Sequence, residues 1–217
     1  MHISKLVKFI IGIVLLPSSI GAVMALYAIL REIKTTETVT IVFLAGMIVW
    51  TIIYAFLPSP NTIYVFGHEM THAFWSLLFK GKLKEMRVSS EGGYVLTTSS
   101  NFLTTLAPYF FPFYAVLVLV VFFIGSMFWD WSSYSPLFYF LLGLAYAFHL
   151  TLTFNTLKIR QTDISLEGYV FSSVIILLGN ILTLLFGIAI LNESISAFYS
   201  FDLWIQYSTQ VYNLLYI

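Results

Sequence analysis

The stretch "VFGHEMTHAFW", residues 65–75, sets two histidines and a glutamate inside a long, largely apolar segment. The chain around it has 217 residues, 59% of them hydrophobic and 9% charged, with a mean hydropathy of +0.92. That is far more apolar than a soluble domain of this size. Apolar runs long enough to cross a hydrocarbon core of about 30 Å, which takes roughly 20 helical residues, recur along the whole length. The expectation is an all-α polytopic membrane protein, a single membrane-embedded domain over 1–217 held in the lipid bilayer. Net charge is zero and basic residues form no longer run than "KGKLKEMR", which argues against nucleic acid as a partner. Cysteine is absent, so thiolate ligands, cysteine nucleophiles and disulfides are excluded together.

Outward from the motif, the pattern predicts about six transmembrane helices, near 8–30, 39–58, 62–80, 101–127, 136–157 and 168–190. The first two, within 1–58, precede the motif. Between the third and fourth, "KEMRVSSEGGYVLTTSS" is polar, rich in Val, Thr and Tyr, and centred on Gly92 and Gly93, which predicts a short membrane-associated β-hairpin. The tail, 191–217, mixes aromatics with Gln, Ser, Thr and Asn and reads as an interfacial helix. The start resembles a signal peptide, with basic residues before an apolar core, but the apolar run continues to Leu30 and is read as a retained helix. Basic residues near span ends favour the cytoplasm. With the N-terminus outside, six alternating spans put Arg31, Lys34, Lys80, Lys82, Lys84, Arg87, Lys158 and Arg160 inside and only Lys5 and Lys8 outside. The loop after the motif is then cytoplasmic.

His68 and His72 are four apart, so on a helix they project from one face, close enough to share a tetrahedral zinc ion, with Glu69 beside them. This is the H-E-x-x-H arrangement, in which the histidines are ligands and the glutamate takes a proton from a water whose pKa the metal lowers. The chain holds only four histidines, so a chance pattern is rare. Ionisable groups in the middle of a spanning helix are costly and usually mark function. A third protein ligand is needed. The extended form with glycine and histidine further along is excluded by Trp75 and Leu78. The candidates are His149, Asp163 and, more weakly, Glu167.

With "HEMTH" followed by "EGGYV", "TLAPYFFPF" and "NTLKIRQTDISLEG", the chain resembles the site-2 protease family of intramembrane zinc metalloproteases over 62–168. That family carries H-E-x-x-H on a membrane helix, then a hairpin with a G-G-Y/F-V-like segment, then an asparagine eight residues before an aspartate ligand. Here Asn155 and Asp163 keep that separation, without the family's intervening prolines. The resemblance implies His68, His72 and Asp163 as ligands of Zn2+ and Glu69 as the catalytic base; the residues themselves leave His149 as the alternative third ligand. Asn155 or His149 could instead steady the oxyanion or hydrogen-bond a ligand. At 1.5 Å per residue, His72 and His149 lie roughly 18 and 20 Å into their helices, level with each other. Asp163 follows Lys158 and Arg160, so reaching the zinc requires the segment from Asn155 to unwind and dip back.

The function so implied is a zinc-dependent metalloendopeptidase acting on transmembrane or membrane-inserted substrates. An extended substrate could pair with the hairpin edge at Gly92, Gly93, Tyr94 and Val95. The rival expectation is a catalytically inactive relative that binds membrane proteins.

Overall fold

Helix formation begins where the Ser4 hydroxyl accepts from the Val7 backbone N–H at 3.3 Å and caps α1, Lys5–Glu32. The computed structural model describes residues 4–34, 37–192 and 194–215. After α1 come α2 (Thr38–Phe56), α3 (Asn61–Leu78), β1 (Leu83–Val88), β2 (Gly93–Thr97), α4 (Phe102–Leu106), α5 (Phe113–Phe128), α6 (Ser135–Leu157), α7 (Thr162–Glu167), α8 (Tyr169–Leu191) and α9 (Ala197–Leu215). The fold is 78% helical with one small antiparallel sheet.

Among the described residues, four helical segments are long and apolar enough to cross a membrane: α1, α2, Ser132–Leu157 and α8. A fifth is reached only if α4, with the turn that follows it, and α5 are counted as one, and these are bent by 86°. The single helix expected over 101–127 is therefore broken. Pro112 carries no N–H to continue a helix, and Pro108 restricts the residue before it, so the apolar run turns between them. α3 is not among the four, because the motif itself dilutes its apolar character.

The chain divides into two compact units. One comprises 1–34, 109–111 and 160–217. In it α8 runs parallel to α1. A Cβ on Gly12 would stand 3.0 Å from the Phe171 backbone, and further along Ala22, Ala25 and Ile29 pack with Ile181, Leu185 and Ile195. α9 lies antiparallel along α1: Tyr199 donates to Glu32, Trp204 Nε1 to the Ser18 carbonyl at 3.0 Å, and Tyr212 to the Val14 carbonyl. The tail expected as an interfacial helix over 191–217 is thus laid lengthwise on α1. Its polar character serves that contact, since Ser208 is buried where Gly21 leaves no room for a side chain. Residues 193, 216 and 217 lie outside the described residues.

The parallel course of α1 and α8 departs from the strict alternation assumed in counting the charges. Lys5 donates to the Ser165 carbonyl at 3.1 Å and Lys8 pairs with Glu167, so the start of α1 shares its end of the unit with the segment that follows Lys158 and Arg160. Six strictly alternating spans would set those groups on opposite sides.

The other unit comprises 35–108 and 112–159. α2 and α6 run parallel at very close range: a Cβ on Gly46 would lie 2.0 Å from the Phe140 carbonyl oxygen, and one on Gly143 2.0 Å from that of Phe43. Trp50 Nε1 donates to Thr151 at 2.8 Å, beside a core of Trp50, Ala147, Phe148 and Leu152. α5 returns antiparallel to α6, with Phe122 stacked on Phe138 and Tyr114 edge-on to Phe148. The predicted hairpin is present, with Met86 opposite Val95, Arg87 opposite Tyr94 and Val88 opposite Gly93. Its turn is closed by the Ser89 N–H on the Gly92 carbonyl at 2.9 Å, and Gly92, at φ 151°, adopts a conformation that favours glycine.

Candidate metal centre

α3 brings His68 and His72 onto one face, as i, i+4 spacing requires, with ring centroids 5.0 Å apart and the rings edge to face. Gly67 makes room for the Tyr114 ring, which a Cβ would meet at 2.7 Å, while the Tyr114 hydroxyl donates to the Ile63 carbonyl. Thr71 donates back to the Gly67 carbonyl at 2.7 Å. α3 ends with Lys80 in the left-handed region, at φ 61°, and with the Gly81 N–H on the Ser76 carbonyl at 2.8 Å.

The hairpin packs along this helix. A Cβ on Gly93 would stand 2.8 Å from Val65 Cγ1 and 3.0 Å from Glu69 Cγ, so the second strand starts directly against the motif's glutamate. Glu69 is buried, with 6% of its surface exposed. Further out on the hairpin, Tyr94 donates to Glu85 at 2.6 Å, and this bond holds the Tyr94 phenol above its ordinary range. On the far side of the motif, Asn101 caps α4 by accepting from the Thr104 N–H at 2.9 Å. The Thr104 carbonyl oxygen so placed lies 2.8 Å from His72 Nδ1. A histidine whose Nδ1–H is bound to a carbonyl presents Nε2 as the ligating nitrogen.

Asp163 stands at the start of α7, a short helix entered after the backbone leaves helical geometry beyond Leu157. The unwinding comes after Asn155, which stays in α6, exposed near its end. Gly168, at φ 97°, ends α7 and lets α8 start at once. Tyr109, fully buried, donates to Asp163 Oδ2 at 3.0 Å, and the Tyr109 carbonyl in turn accepts from Asn180 at 2.9 Å.

One ligand atom each from His68, His72 and Asp163 lie within 4.8 Å of one another, so the three could hold a metal ion. Two imidazole nitrogens and one carboxylate oxygen are the donor set of a catalytic zinc site with a position left open. His149 is not one of this group. It is buried in α6 with its Nδ1 3.5 Å from Thr153, and its Nε2 has no hydrogen-bond partner. Glu167 is engaged by Lys8.

Thr104, Asn101 and Tyr109 were not singled out from the sequence. Asn101 preceding a short helix carries a capping signal that could have been read. Tyr109 carries none, because its partner is 54 residues away. No protein-family model matches the chain, and neither a curated protein nor a solved structure matches it.

Proposed function

We propose that this protein is an intramembrane zinc metalloendopeptidase of the site-2 protease kind, cutting transmembrane or membrane-inserted polypeptides. The observation that carries the reading is the grouping of the two motif histidines with Asp163, all within 4.8 Å, on a helix whose Glu69 is buried against the hairpin. In this reading His68, His72 and Asp163 hold the ion. When bound, zinc would supply Lewis acidity, polarising the scissile carbonyl and lowering the pKa of water. Glu69 takes a proton from the attacking water and returns it to the leaving amine. The hairpin offers backbone to a substrate unwound into an extended strand, pairing at the level of Gly93 to Val95.

The test is zinc per chain in detergent-purified protein for the wild type, His68→Ala, Asp163→Asn and His149→Ala, with cleavage of a reconstituted transmembrane peptide by wild type and Glu69→Gln. The reading expects near-stoichiometric zinc, lost with His68 and Asp163 and kept with His149, and cleavage abolished by Glu69→Gln. A wild type that takes up no zinc on reconstitution overturns it. Zinc retained without any dependence of cellular activity on Glu69 would turn the reading to an inactive, partner-binding relative.

A further inference from the structure

α7 has six residues, too few to hold a helix by its own hydrogen bonds, so the position of Asp163 depends on what pins the segment from outside. At least four contacts do so. Tyr109 holds the Asp163 carboxylate itself, and Ser172 donates to the Ile164 carbonyl at 3.3 Å. Two more come from the first turn of α1. Lys5 donates to the Ser165 carbonyl at 3.1 Å, and the Lys8 ammonium pairs with Glu167.

The Lys8–Glu167 pair is well shielded, with 12% and 11% of the two side chains exposed. Glu167 is four residues after Asp163, on the same face of the short helix. A shielded ion pair is an expensive way to fasten two elements, because an apolar contact of the same volume serves stability as well or better. What an ion pair adds is direction, since it is satisfied in one register only. Neither lysine is needed by the chemistry proposed for Glu69, and neither is a metal ligand.

We infer that Lys8 is a positioning residue for Asp163: through Glu167 it sets the register of α7 and so the place of the carboxylate as a metal ligand. Lys5 reinforces the same register through the Ser165 carbonyl. The inference rests on the zinc reading above and adds to it that the start of α1 belongs to the metal site's support.

The experiment is performed on full-length protein in detergent. Zinc affinity is measured by competition with a chromogenic chelator, and the cobalt(II)-substituted protein is examined by its visible absorption, for wild type, Lys8→Met, Lys8→Arg and Asp163→Asn, with thermal unfolding of the metal-free forms alongside. Partners of metal ligands typically govern affinity by about 10- to 100-fold. One step further out, Lys8→Met is expected to weaken zinc about 10-fold. Its cobalt spectrum should move toward that of Asp163→Asn, while Lys8→Arg stays near wild type. A purely structural pair would lower the metal-free unfolding temperature yet leave affinity and spectrum unchanged, and that result overturns the inference while the zinc reading stands. Absence of metal binding by the wild type overturns both. Should Lys8→Met fail to fold, Lys5→Ala, at an exposed position, is expected to weaken zinc several-fold in the same direction. Unchanged binding there overturns the inference.

Discussion

His72 Nδ1 and the carbonyl oxygen of Thr104 lie 2.8 Å apart, joining the second histidine of the motif to the first turn after the hairpin. The bond fixes the tautomer and the ring plane together, leaving Nε2 as the ligating nitrogen. Thr104 is held in place by Asn101, whose side chain accepts from its N–H. Asn101→Ala should therefore act on the metal through the cap. It is expected to cost about 1 kcal/mol of stability, the usual value of an N-cap, and to weaken zinc several-fold, whereas Asn101→Asp preserves both. Unfolding in detergent and chelator competition on the same samples check this. A stability loss with unaltered zinc binding would show that His72 is oriented without Thr104.

Tyr109 does for Asp163 what Thr104 does for His72. Its hydroxyl donates to the carboxylate at 3.0 Å from a fully buried position, and hydrogen bonds to a charged group contribute about 1.5–3 kcal/mol. Tyr109→Phe keeps the ring and removes only that donor. Zinc affinity should fall about 10-fold with the secondary structure unchanged. Circular dichroism with zinc competition distinguishes this from misfolding, and wild-type affinity in a folded Tyr109→Phe protein would refute it.

What was legible in the sequence was local. The spacing of His68 and His72 fixes their common face whatever surrounds them, and Gly92 and Gly93 mark a hairpin because the turn there takes a glycine at positive φ. The break between α4 and α5 was signalled by Pro108 and Pro112 but hidden in a run that reads as one apolar span. The parallel course of α1 and α8 was not legible, because counting spans assumes strict alternation, and the Lys8–Glu167 contact joins residues 159 positions apart. Asp163 is one of three acidic or imidazole candidates downstream of the motif, and only the family resemblance ranks it above His149. No periodicity in "RQTDISLEG" marks it as a ligand rather than as a capping carboxylate.

The contact between α2 and α6 makes a stability prediction independent of any chemistry. Gly46 and Gly143 each face a backbone carbonyl of the other helix at a range where a Cβ would lie 2.0 Å away. Small residues permit such approach in membrane helices, where dispersion at close range supplies much of the attraction. Gly46→Ala should force the helices apart and destabilise the protein by about 1–3 kcal/mol, as overpacking does. Once they have separated, the second methyl meets less resistance, so Gly46→Ala with Gly143→Ala should cost less than the two singles added. Thermal unfolding of the four proteins completes the cycle. A purely additive result would mean that the two contacts yield independently.

The hairpin's approach to the motif separates metal binding from catalysis. A Cβ on Gly93 would stand 2.6 Å from the Arg87 carbonyl oxygen, 2.8 Å from Val65 Cγ1 and 3.0 Å from Glu69 Cγ. Neither the carbonyl nor the helix side chains can yield without moving the strand or displacing the glutamate. None of the three atoms belongs to a proposed ligand. Gly93→Val is accordingly expected to keep zinc while lowering peptide cleavage by at least about 10-fold, the size of effect that small misplacements of catalytic groups produce. Glu85→Gln is the control, since it alters only exposed bonds from Tyr94 and Arg87 and should leave cleavage within about two-fold of wild type, as surface pairs contribute little. Cleavage retained by a folded, zinc-loaded Gly93→Val protein would mean that the strand's closeness to Glu69 has no part in the reaction. Zinc lost together with cleavage would instead place the hairpin among the supports of the metal ligands.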